Sequence, residues 1–362
     1  MWSLIARLPL YRAFRRWGFP RLLPANVAVN LLYACNSRCL TCNVYDRHVK
    51  MLTPDELDRV FRSLGRAPVW VTLTGGEPFL RKDIPEIAAA LYRRCRPAVV
   101  AIPTNGTFPD RVVDDMTAIA TAAPRTRWVL NLSLDEIGER HDAIRRTPRN
   151  WELAMETYRG LRALRIPNLT VGLHVCISRF NAERFPEIHR ALAALEPDSL
   201  IAEMAEARGE LLNASADIAP STAAYTRAID ELTVDLRRRR ARGIPRILRA
   251  LRLEYYALTT EFLRRQEQIV PCMAGWMSAH IGADGEVWTC STRAEPLGNL
   301  RETGYDFRAV WFSARARALR DSIRRRECAC PMASAAYTSL LADWASLARL
   351  AREYVGIGAR AA

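Results

Sequence analysis

The stretch Cys35-Asn36-Ser37-Arg38-Cys39-Leu40-Thr41-Cys42 places three thiols within eight residues. It directly follows residues 27–33, an apolar run that is typical of a buried strand. Three thiolates on a loop that leaves a strand can converge on one metal centre. A cubane iron–sulfur cluster held by three cysteines keeps one iron without a protein ligand. A reactive site needs such an open iron, just as a catalytic metal ion keeps an open position.

Disulfide bonds and a zinc site are the two other interpretations of these thiols. Nothing in the sequence marks a secreted chain, and nine cysteines in 362 residues are too few for a disulfide-dense protein. Zinc sites usually show paired CxxC or CxxC…HxxxH spacing, whereas the spacing here is CxxxCxxC. The motif therefore favours the open cluster.

This spacing resembles the radical S-adenosylmethionine (SAM) superfamily, which carries CxxxCxxC on the loop after the first barrel strand. The resemblance implies that the amino and carboxylate groups of SAM bind the free iron. It also implies that an electron from the cluster cleaves SAM, and that the resulting 5′-deoxyadenosyl radical takes a hydrogen atom from a substrate. Cys35, Cys39 and Cys42 would then be the ligands of a catalytic 4Fe–4S cluster.

The composition is that of a globular protein with a strong positive charge: 49% of residues are hydrophobic, 25% are charged, and the net charge is +14. This charge favours anionic partners, such as a phosphorylated or carboxylated substrate, an acidic carrier or a membrane surface. No nucleic-acid recognition module is evident, so we expect no nucleic-acid partner. No apolar run is long enough to span a bilayer, and no signal-peptide cleavage site is evident, so we expect a cytoplasmic protein.

Residues 1–26 form a basic N-terminal segment in which apolar residues and arginines recur at helical spacing. One interpretation is an amphipathic helix that binds a membrane surface or a partner protein. The other, which we favour, is a helix that covers the bottom of the barrel and leaves its arginines in solvent.

Strand and helix patterns alternate from residue 27 to about 204, which predicts an α/β fold with a parallel sheet. The predicted strands are residues 27–33, 69–74, 98–103, 128–134, 169–177 and 199–204. The predicted helices are residues 54–64, 84–94, 110–122, 151–164 and 185–195, and Thr53 and Glu56 have capping-box spacing at the first. Six such units fit a partial (β/α)6 TIM-type barrel, which the resemblance also implies. In these barrels the chemistry lies at the carboxyl ends of the strands.

The second predicted strand ends in Thr74-Gly75-Gly76-Glu77-Pro78. Two glycines let the backbone approach a ligand closely, and the proline fixes the direction in which the chain leaves. Alone, this is a tight turn. At a second strand end after the cysteine motif, it resembles the superfamily motif that holds the SAM amino group. The resemblance implies that Gly75, Gly76 and Glu77 contact SAM.

The fourth predicted strand ends in Ser133-Leu134-Asp135, and His141-Asp142-Ala143-Ile144-Arg145 follows. This pattern resembles superfamily members with an additional cluster domain, and it implies that Ser133 and Arg145 bind SAM. An arginine suits the SAM carboxylate because its fork binds both oxygens. We expect Asp135 to cap the following helix and His141 to be structural.

Cys95 and Cys176 lie in a helix pattern and a strand pattern, and we expect both in the core. Several charged residues follow the sixth predicted strand, within residues 203–210. They either meet a substrate at the barrel mouth or form a solvated loop. Beyond them we predict helices at residues 221–242, 245–269 and 306–326.

A second set of cysteines consists of Cys272, Cys290, Cys328 and Cys330. Asp284-Gly285 between two short strand patterns predicts a hairpin, which the first two cysteines flank. Four thiolates complete a closed cluster, but they also suit zinc, so the residues alone leave both open. The order of cysteines, hairpin and Leu297-Gly298-Asn299-Leu300 resembles the SPASM/twitch domain, which implies an auxiliary 4Fe–4S cluster. The last pair departs from the CxxC that is common in twitch domains, because its spacing is CxC.

The predicted domains are residues 1–26, a radical SAM barrel at 27–210, a helical connector at 211–271, the auxiliary domain at 272–332 and a C-terminal helix at 333–362. The predicted function is radical SAM catalysis, a two-electron oxidation or a maturation reaction helped by the auxiliary cluster. A donor such as flavodoxin or ferredoxin would supply the electron. The alternatives are a radical SAM enzyme acting on a lipid or lipid-linked sugar at a membrane surface, and a non-catalytic iron–sulfur or zinc protein.

Overall fold

The structure, a computed structural model, describes residues 2–238 and 243–355. Its strands are β1 (Asn26–Leu32), β2 (Trp70–Gly75), β3 (Val99–Thr104), β4 (Arg127–Ser133), β5 (Leu169–Ile177), β6 (Ser199–Met204), β7 (Ser278–Ile281), β8 (Glu286–Trp288) and β9 (Pro296–Asn299). Within the described ranges these strands form one sheet, in the order β6-β5-β4-β3-β2-β1-β7-β8-β9.

Helices alternate with the strands of the first half and dominate the second. They are α1 (Trp2–Trp17), α2 (Pro54–Leu64), α3 (Ile84–Arg94), α4 (Pro109–Ala122), α5 (Glu139–Arg145), α6 (Asn150–Leu164), α7 (Phe185–Ala193), α8 (Thr222–Arg238), α9 (Ile244–Arg265), α10 (Phe307–Trp311), α11 (Ala314–Arg324), α12 (Ala333–Ala342) and α13 (Trp344–Val355). None of these described helices combines the length and apolar character that a membrane crossing requires.

Strands β1 to β6 pair in parallel, each with the next along the chain. This is the order that consecutive right-handed βα units produce. It confirms the predicted α/β fold and the six βα units of a partial barrel. The predicted capping box is also present, because Thr53 Oγ1 accepts from Glu56 N while the Glu56 carboxylate accepts from Thr53 N.

The C-terminal strands continue the barrel sheet, because β7 pairs in parallel with β1, from Asn26 with Ser278 to Val29 with Ile281. The predicted hairpin is present, since β7 and β8 are antiparallel and Gly285 has a φ of 90° in the turn. Strand β9 pairs with β8 and was not predicted. One sheet therefore joins the part that carries the first cysteines to the part that carries the second.

Two of the predicted helices are each broken into two. The helix expected at 306–326 is interrupted because Ser313 caps α11, its Oγ accepting from Ala316 N (3.1 Å). The C-terminal helix is interrupted because Asp343 accepts from Ser346 N (2.8 Å) as α13 begins. The last residues of the helices predicted at 221–242 and 333–362 lie outside the described residues. The short helix α5 was not predicted.

Helix α1 packs its apolar face inside the protein. Leu8, Tyr11 and Phe14 are buried against a cluster that includes Met273 and Trp276. Ala25 and Val69, which immediately precede β1 and β2, belong to the same contact region, so α1 covers the amino ends of the strands as predicted.

The expectation that the arginines of α1 are solvated is wrong for three of them. Arg7 Nη1 donates to Ala67 O (3.0 Å). Arg12 Nε donates to Ala342 O (2.5 Å), and Arg15 Nε donates to Cys272 O (3.1 Å). Burial of the apolar face of α1 brings these guanidinium groups close to backbone carbonyls of neighbouring segments, which accept their hydrogen bonds.

Candidate functional site

The loop with Cys35, Cys39 and Cys42 leaves the carboxyl end of β1. Helix α5 holds it, since Arg38 N donates to Arg145 O (3.1 Å) and Leu40 N donates to Ile144 O (2.9 Å). The three cysteines are free and half-buried. The fold thus places three unpaired thiols together at a strand end.

Each of these sulfur atoms has a hydrogen-bond donor: Ser37 N lies 3.4 Å from Cys35 Sγ, Val44 N lies 3.4 Å from Cys42 Sγ, and Arg145 Nη1 lies 3.8 Å from Cys39 Sγ. Such donors stabilise iron–sulfur ligands and adjust the reduction potential of the cluster. Burial raises the pKa of the Cys35 thiol to about 11 and that of Cys42 to about 12. Metal binding must therefore displace protons from these thiols. The donor set fits a three-cysteine cluster.

Gly75 and Gly76 lie against the backbone that leads into the cysteine loop. A Cβ on Gly75 would be 2.0 Å from Leu32 O, and one on Gly76 would be 2.0 Å from Ala34 O. Gly76 N donates to Leu32 O (2.9 Å) and Glu77 N donates to Ala34 O (3.0 Å). The glycines therefore let β2 approach the end of β1. Contact with SAM through the backbone of this turn stays a prediction.

Glu77 is buried, and its side chain joins two strand ends. One carboxylate oxygen accepts from Phe79 N (3.1 Å) and Thr104 Oγ1 (2.8 Å), and the other accepts from Asn105 N (2.7 Å). Burial raises its pKa to about 7. Since both oxygens have partners within the protein, contact with SAM through this carboxylate stays a prediction.

Asp135 does not cap the following helix, because α5 begins at Glu139 with Gly138 at its N-cap. Its carboxylate instead accepts from Cys176 N (2.9 Å) and pairs with Arg145 Nε (2.8 Å). Arg145 therefore lies between a carboxylate and the Cys39 sulfur.

His141 is buried, and its Nδ1 accepts from Asp135 N (3.1 Å), which fits the structural role expected for it. Ser133 ends β4 and is half-buried. The roles of Ser133 and Arg145 toward SAM stay predictions. Cys95 is in the core as expected, whereas Cys176 is half-buried and outside the core clusters, near Asp135 and Arg208.

The second set of cysteines converges beside β8. Burial, together with the charges of Cys290 and Cys328, raises the pKa of Cys272 to about 12. Burial, together with the charges of Glu206, Cys290 and Cys272, also raises the pKa of Cys330. Ala274 N lies 3.4 Å from Cys272 Sγ, and Thr292 Oγ1 lies 3.6 Å from Cys330 Sγ. All four thiols, including both members of CxC, therefore lie in one region that carries sulfur-directed donors.

Residues 205–213, which we call the bridging segment, connect the two cysteine sites. Gly209 N and Glu210 N donate to Thr292 O (2.8 Å) and Ser291 O (3.1 Å), next to Cys290. At its other end Asn43 N donates to Leu211 O (3.0 Å), and Asn213 Nδ2 donates to Thr41 O (2.7 Å), on either side of Cys42.

The carboxylates of the bridging segment point inward, so the solvated loop, one of the two alternatives for these charges, is wrong. Glu206 and Glu210 are only 8% and 6% exposed. Glu210 lies 3.2 Å from His280 Nε2 on β7, and Glu206 pairs with Arg208 (3.0 Å). Glu206 Oε2 has no hydrogen-bond partner among the described residues, and burial raises the pKa of this carboxyl to about 7.

Two asparagines that sequence reasoning did not single out hold the first site together. Asn105 Nδ2 donates to Asn36 Oδ1 (2.8 Å) and Ser37 Oγ (3.0 Å), so the turn after β3 contacts the cysteine loop. Asn213 contacts the same loop through Thr41. The Asn105-Gly106 pair marks a turn in the sequence, but nothing local shows what a turn residue will contact.

Family models match both parts of the chain. That of the radical SAM superfamily matches residues 29–192, and that of an iron–sulfur cluster-binding domain, SPASM, matches residues 272–331. The chain therefore belongs to the radical SAM superfamily and carries a SPASM domain, and it is an enzyme. The non-catalytic alternative is wrong, and so is zinc in the second site. Members of this class hold a 4Fe–4S cluster and SAM in the first domain and auxiliary iron–sulfur in the second.

The curated relatives have different activities. The chain is 30% identical over 171 residues to Fe-coproporphyrin III synthase of Methanosarcina barkeri, covering 45% of this chain and 39% of the relative. It is 38% identical over 128 residues to GTP 3′,8-cyclase of Stenotrophomonas maltophilia, covering 33% and 36%. An AdoMet-dependent heme synthase of M. barkeri is 26% identical over 82% of this chain and 85% of its own length. The match thus spans well under half of the first two relatives.

Solved structures share the fold at low sequence identity. SuiB of Streptococcus suis bound to SAM superposes with a TM-score of 0.61 at 14% identity, covering 82% of this chain and 68% of SuiB. The enzyme anSMEcpe with bound AdoMet gives a TM-score of 0.60 at 14% identity, covering 92% of this chain and all of its own. The radical SAM fold is therefore common to all three proteins.

Proposed function

We propose that this enzyme oxidises its substrate by two electrons, one lost as a hydrogen atom and one passed to the auxiliary site. When bound, the first cluster and SAM supply a 5′-deoxyadenosyl radical for hydrogen abstraction. Cys35, Cys39 and Cys42 hold that cluster, and Cys272, Cys290, Cys328 and Cys330 hold the auxiliary one. A four-cysteine cluster has no vacant iron, which suits electron transfer rather than SAM binding.

The bridging segment is the observation that carries this proposal. Its backbone bonds to residues beside Cys42 at one end and beside Cys290 at the other. It follows β6 at the carboxyl end of the parallel strands, where barrel enzymes bind substrates. A substrate that contacts this segment would lie between the site of radical formation and the site that takes up the electron.

The inward charges indicate which substrate groups the site can bind. Glu203, Glu206 and Glu210 contribute three carboxylates in this region. The nearby guanidinium groups are those of Arg208, of Arg47, whose Nη2 donates to Gly209 O (3.1 Å), and of Arg252, whose charge acts on Glu203. Glu203 also lies 3.6 Å from His174 Nε2 on the neighbouring strand. The unpartnered Glu206 Oε2 favours a hydroxyl or amine donor on the substrate, since a buried acceptor without a partner is unfavourable. An anionic substrate, which the net charge favours, would find the guanidinium groups of Arg208 and Arg47 at this segment.

The test is anaerobic incubation of the reconstituted protein with SAM, dithionite and deuterated candidate substrates. The names of its relatives suggest GTP and peptides as first candidate substrates, and Fe-coproporphyrin III as a product to look for. We expect deuterium in 5′-deoxyadenosine and a product that has lost two hydrogens. Recovery of deuterated 5′-deoxyadenosine with a product at the oxidation level of the substrate would contradict the two-electron proposal.

A pair of variants separates the two roles. Cys35→Ala should abolish 5′-deoxyadenosine formation. With dithionite as the reductant, Cys272→Ala with Cys290→Ala should preserve 5′-deoxyadenosine formation while blocking substrate oxidation. Because metal binding and folding are coupled, circular dichroism must show that the double variant is folded. Substrate oxidation at the parent rate in a folded double variant would contradict the role of the auxiliary site.

A further inference from the structure

A cavity of about 270 Å³ lies between α1 and α11, away from the bridging segment. Four arginines line it, namely Arg21, Arg317, Arg320 and Arg324, together with the single acidic residue Asp321. Four positive charges and one negative charge leave a net charge of +3. Arg324 Nη2 lies 3.4 Å from Asp321 Oδ1. The cavity lining therefore carries a local excess of positive charge.

Arg320 forms the floor of this cavity. It is 4% exposed, and its guanidinium donates to two backbone carbonyls, Gly275 O and Trp311 O. Burial, followed by the charge of Arg21, lowers its pKa to about 10, so it stays charged at neutral pH. The hydrogen bonds of this buried guanidinium thus go to neutral carbonyls, and the nearby charge of Asp321 offsets its charge only in part, which favours an incoming anionic group.

Aromatic side chains form the walls. Arg15 and Arg324 both lie over the Trp276 ring, at 5.3 and 5.9 Å from its centre. Trp17 and Phe19 do not line the cavity, but they are the sequence neighbours of Gly18 in its lining, and each is 75% exposed. Exposed aromatics around arginines are typical of the centre of a protein interface. A free inorganic anion would use the charges but not these apolar surfaces.

The cavity is next to the auxiliary site and far from the first one. Gly275, which accepts from Arg320, is three residues from Cys272, so their backbones are no more than about 10 Å apart. Phe14 of the lining packs with Ala25, at the amino end of β1. The seven residues of β1 span about 23 Å and lead to the first cysteines at the opposite end.

We propose that this cavity docks an acidic redox protein, which donates one electron to the enzyme through the auxiliary site. The inference rests on the proposed function, because reductive cleavage of each SAM needs one electron from outside the chain. The donor, a reduced flavoprotein or iron–sulfur protein, loses one electron, and the auxiliary site gains it and passes it to the first site. No bond or proton changes in this transfer. Carboxylates of the donor pair with Arg317 and Arg324.

Flavodoxin is the probe for docking, and its affinity for the reconstituted holoprotein is measured by calorimetry at low and high salt. We expect Arg317→Glu with Arg324→Glu to weaken binding by about tenfold or more, because both charges then repel the donor. The matched control is Arg315→Glu with Arg325→Glu, which makes the same change in net charge at exposed positions outside the cavity. Equal affinities of the two double variants would overturn the proposal.

A second measurement compares reductants by the yield of 5′-deoxyadenosine. Dithionite needs no docking surface, so both double variants should match the parent with dithionite, while the cavity variant alone loses the flavodoxin-driven reaction. If the unmodified protein fails with dithionite, the proposed function fails, whereas docking is still judged by the affinities. Inorganic pyrophosphate serves as a competitor. If it binds the cavity and leaves flavodoxin binding unchanged, the cavity is a site for small anions and the docking proposal is wrong.

Discussion

Gly76 shows how much a single residue can decide at the first site. The sequence suggests that its missing side chain leaves room for a ligand, but the structure shows the backbone of Ala34 in that place. Ala34 directly precedes Cys35. Gly76 therefore affects the cysteine loop through backbone packing, and a substitution at this position perturbs that loop.

Gly76→Ala should remove about half of the bound iron and abolish 5′-deoxyadenosine formation, because a Cβ 2.0 Å from Ala34 O forces the cysteine loop to move. Iron analysis of the anaerobically reconstituted protein measures this. Gly304→Ala is the control, since nothing lies within 4 Å of its Cβ and its φ of 61° costs only about 1–2 kcal/mol. A full iron content in Gly76→Ala would show that the loop tolerates the contact.

His141 gives a prediction about pH. Burial lowers its pKa from 6.5 to about 4, so the unfolded chain takes up a proton near pH 6.5 and the folded chain only near pH 4. Stability is therefore lost as the pH falls between these values, by up to about 3 kcal/mol. His141→Asn keeps an acceptor for Asp135 N but removes this titration. Between pH 7.5 and 5 the melting temperature should fall less in the variant than in the parent; equal slopes would contradict the assignment.

At the scale of an element, α1 shows why the periodicity of a helix does not name its partner. The same apolar face suits a membrane surface or a protein core. In the structure the face with Leu8, Tyr11 and Phe14 packs on residues from the C-terminal half, and Tyr11 Oη donates to Leu23 O (2.6 Å). Because this face is buried, it is not available to bind a membrane. This weakens the interpretation of α1 as a membrane helix and the lipid-substrate alternative that was based on it.

Two leucines on α1 provide a matched test. Leu8 is 5% exposed and Leu10 is 43% exposed. Leu8→Ala should lower the free energy of unfolding by about 3 kcal/mol, and Leu10→Ala by about 0.5 kcal/mol or less. Urea denaturation measures both. If Leu8→Ala instead reduced flotation with anionic liposomes and left stability unchanged, α1 would be a membrane-binding helix.

At the scale of the whole molecule, one sheet and one bridging segment unite two metal sites that lie more than two hundred residues apart in the sequence. The parallel pairing of β1 with β7 places the auxiliary domain beside the barrel. The bridging segment follows β6, at the opposite edge of the barrel sheet, and makes a second contact with the auxiliary domain. The electron transfer that we propose between the sites would thus depend on this sheet order as well as on the cysteines.

The iron content tests this organisation. The reconstituted protein should hold about eight irons, and replacing Cys35, Cys39 and Cys42 with alanine should leave about four, because the closed site has its own four ligands. Cys95→Ala is the control, since this buried thiol donates to Phe61 O (3.3 Å) and lies outside both sites. A triple variant with no iron, folded by gel filtration, would show that the two sites do not load independently.

The sequence alone determined the features that depend on neighbours along the chain. The CxxxCxxC spacing, the alternation of strands and helices, the Thr53–Glu56 capping box and the Asp284-Gly285 turn each need only a few adjacent residues. The helix breaks at Ser313 and Asp343 also have a local signal, because both residue types cap helices. The apolar periodicity continues across each break, however, and hides it. These local features were sufficient to predict the partial barrel and the division of seven cysteines into two sets.

Only the tertiary structure decided which side chains meet. It turned Glu206 and Glu210 inward, set Arg145 between Asp135 and Cys39, and built the basic cavity from α1 and α11, some three hundred residues apart. The physical reason is that burial and charge pairing depend on long-range packing, which sequence spacing does not specify. Burial raises the pKa of Glu206 and lowers that of Arg320, so the chemistry of both residues comes from the fold.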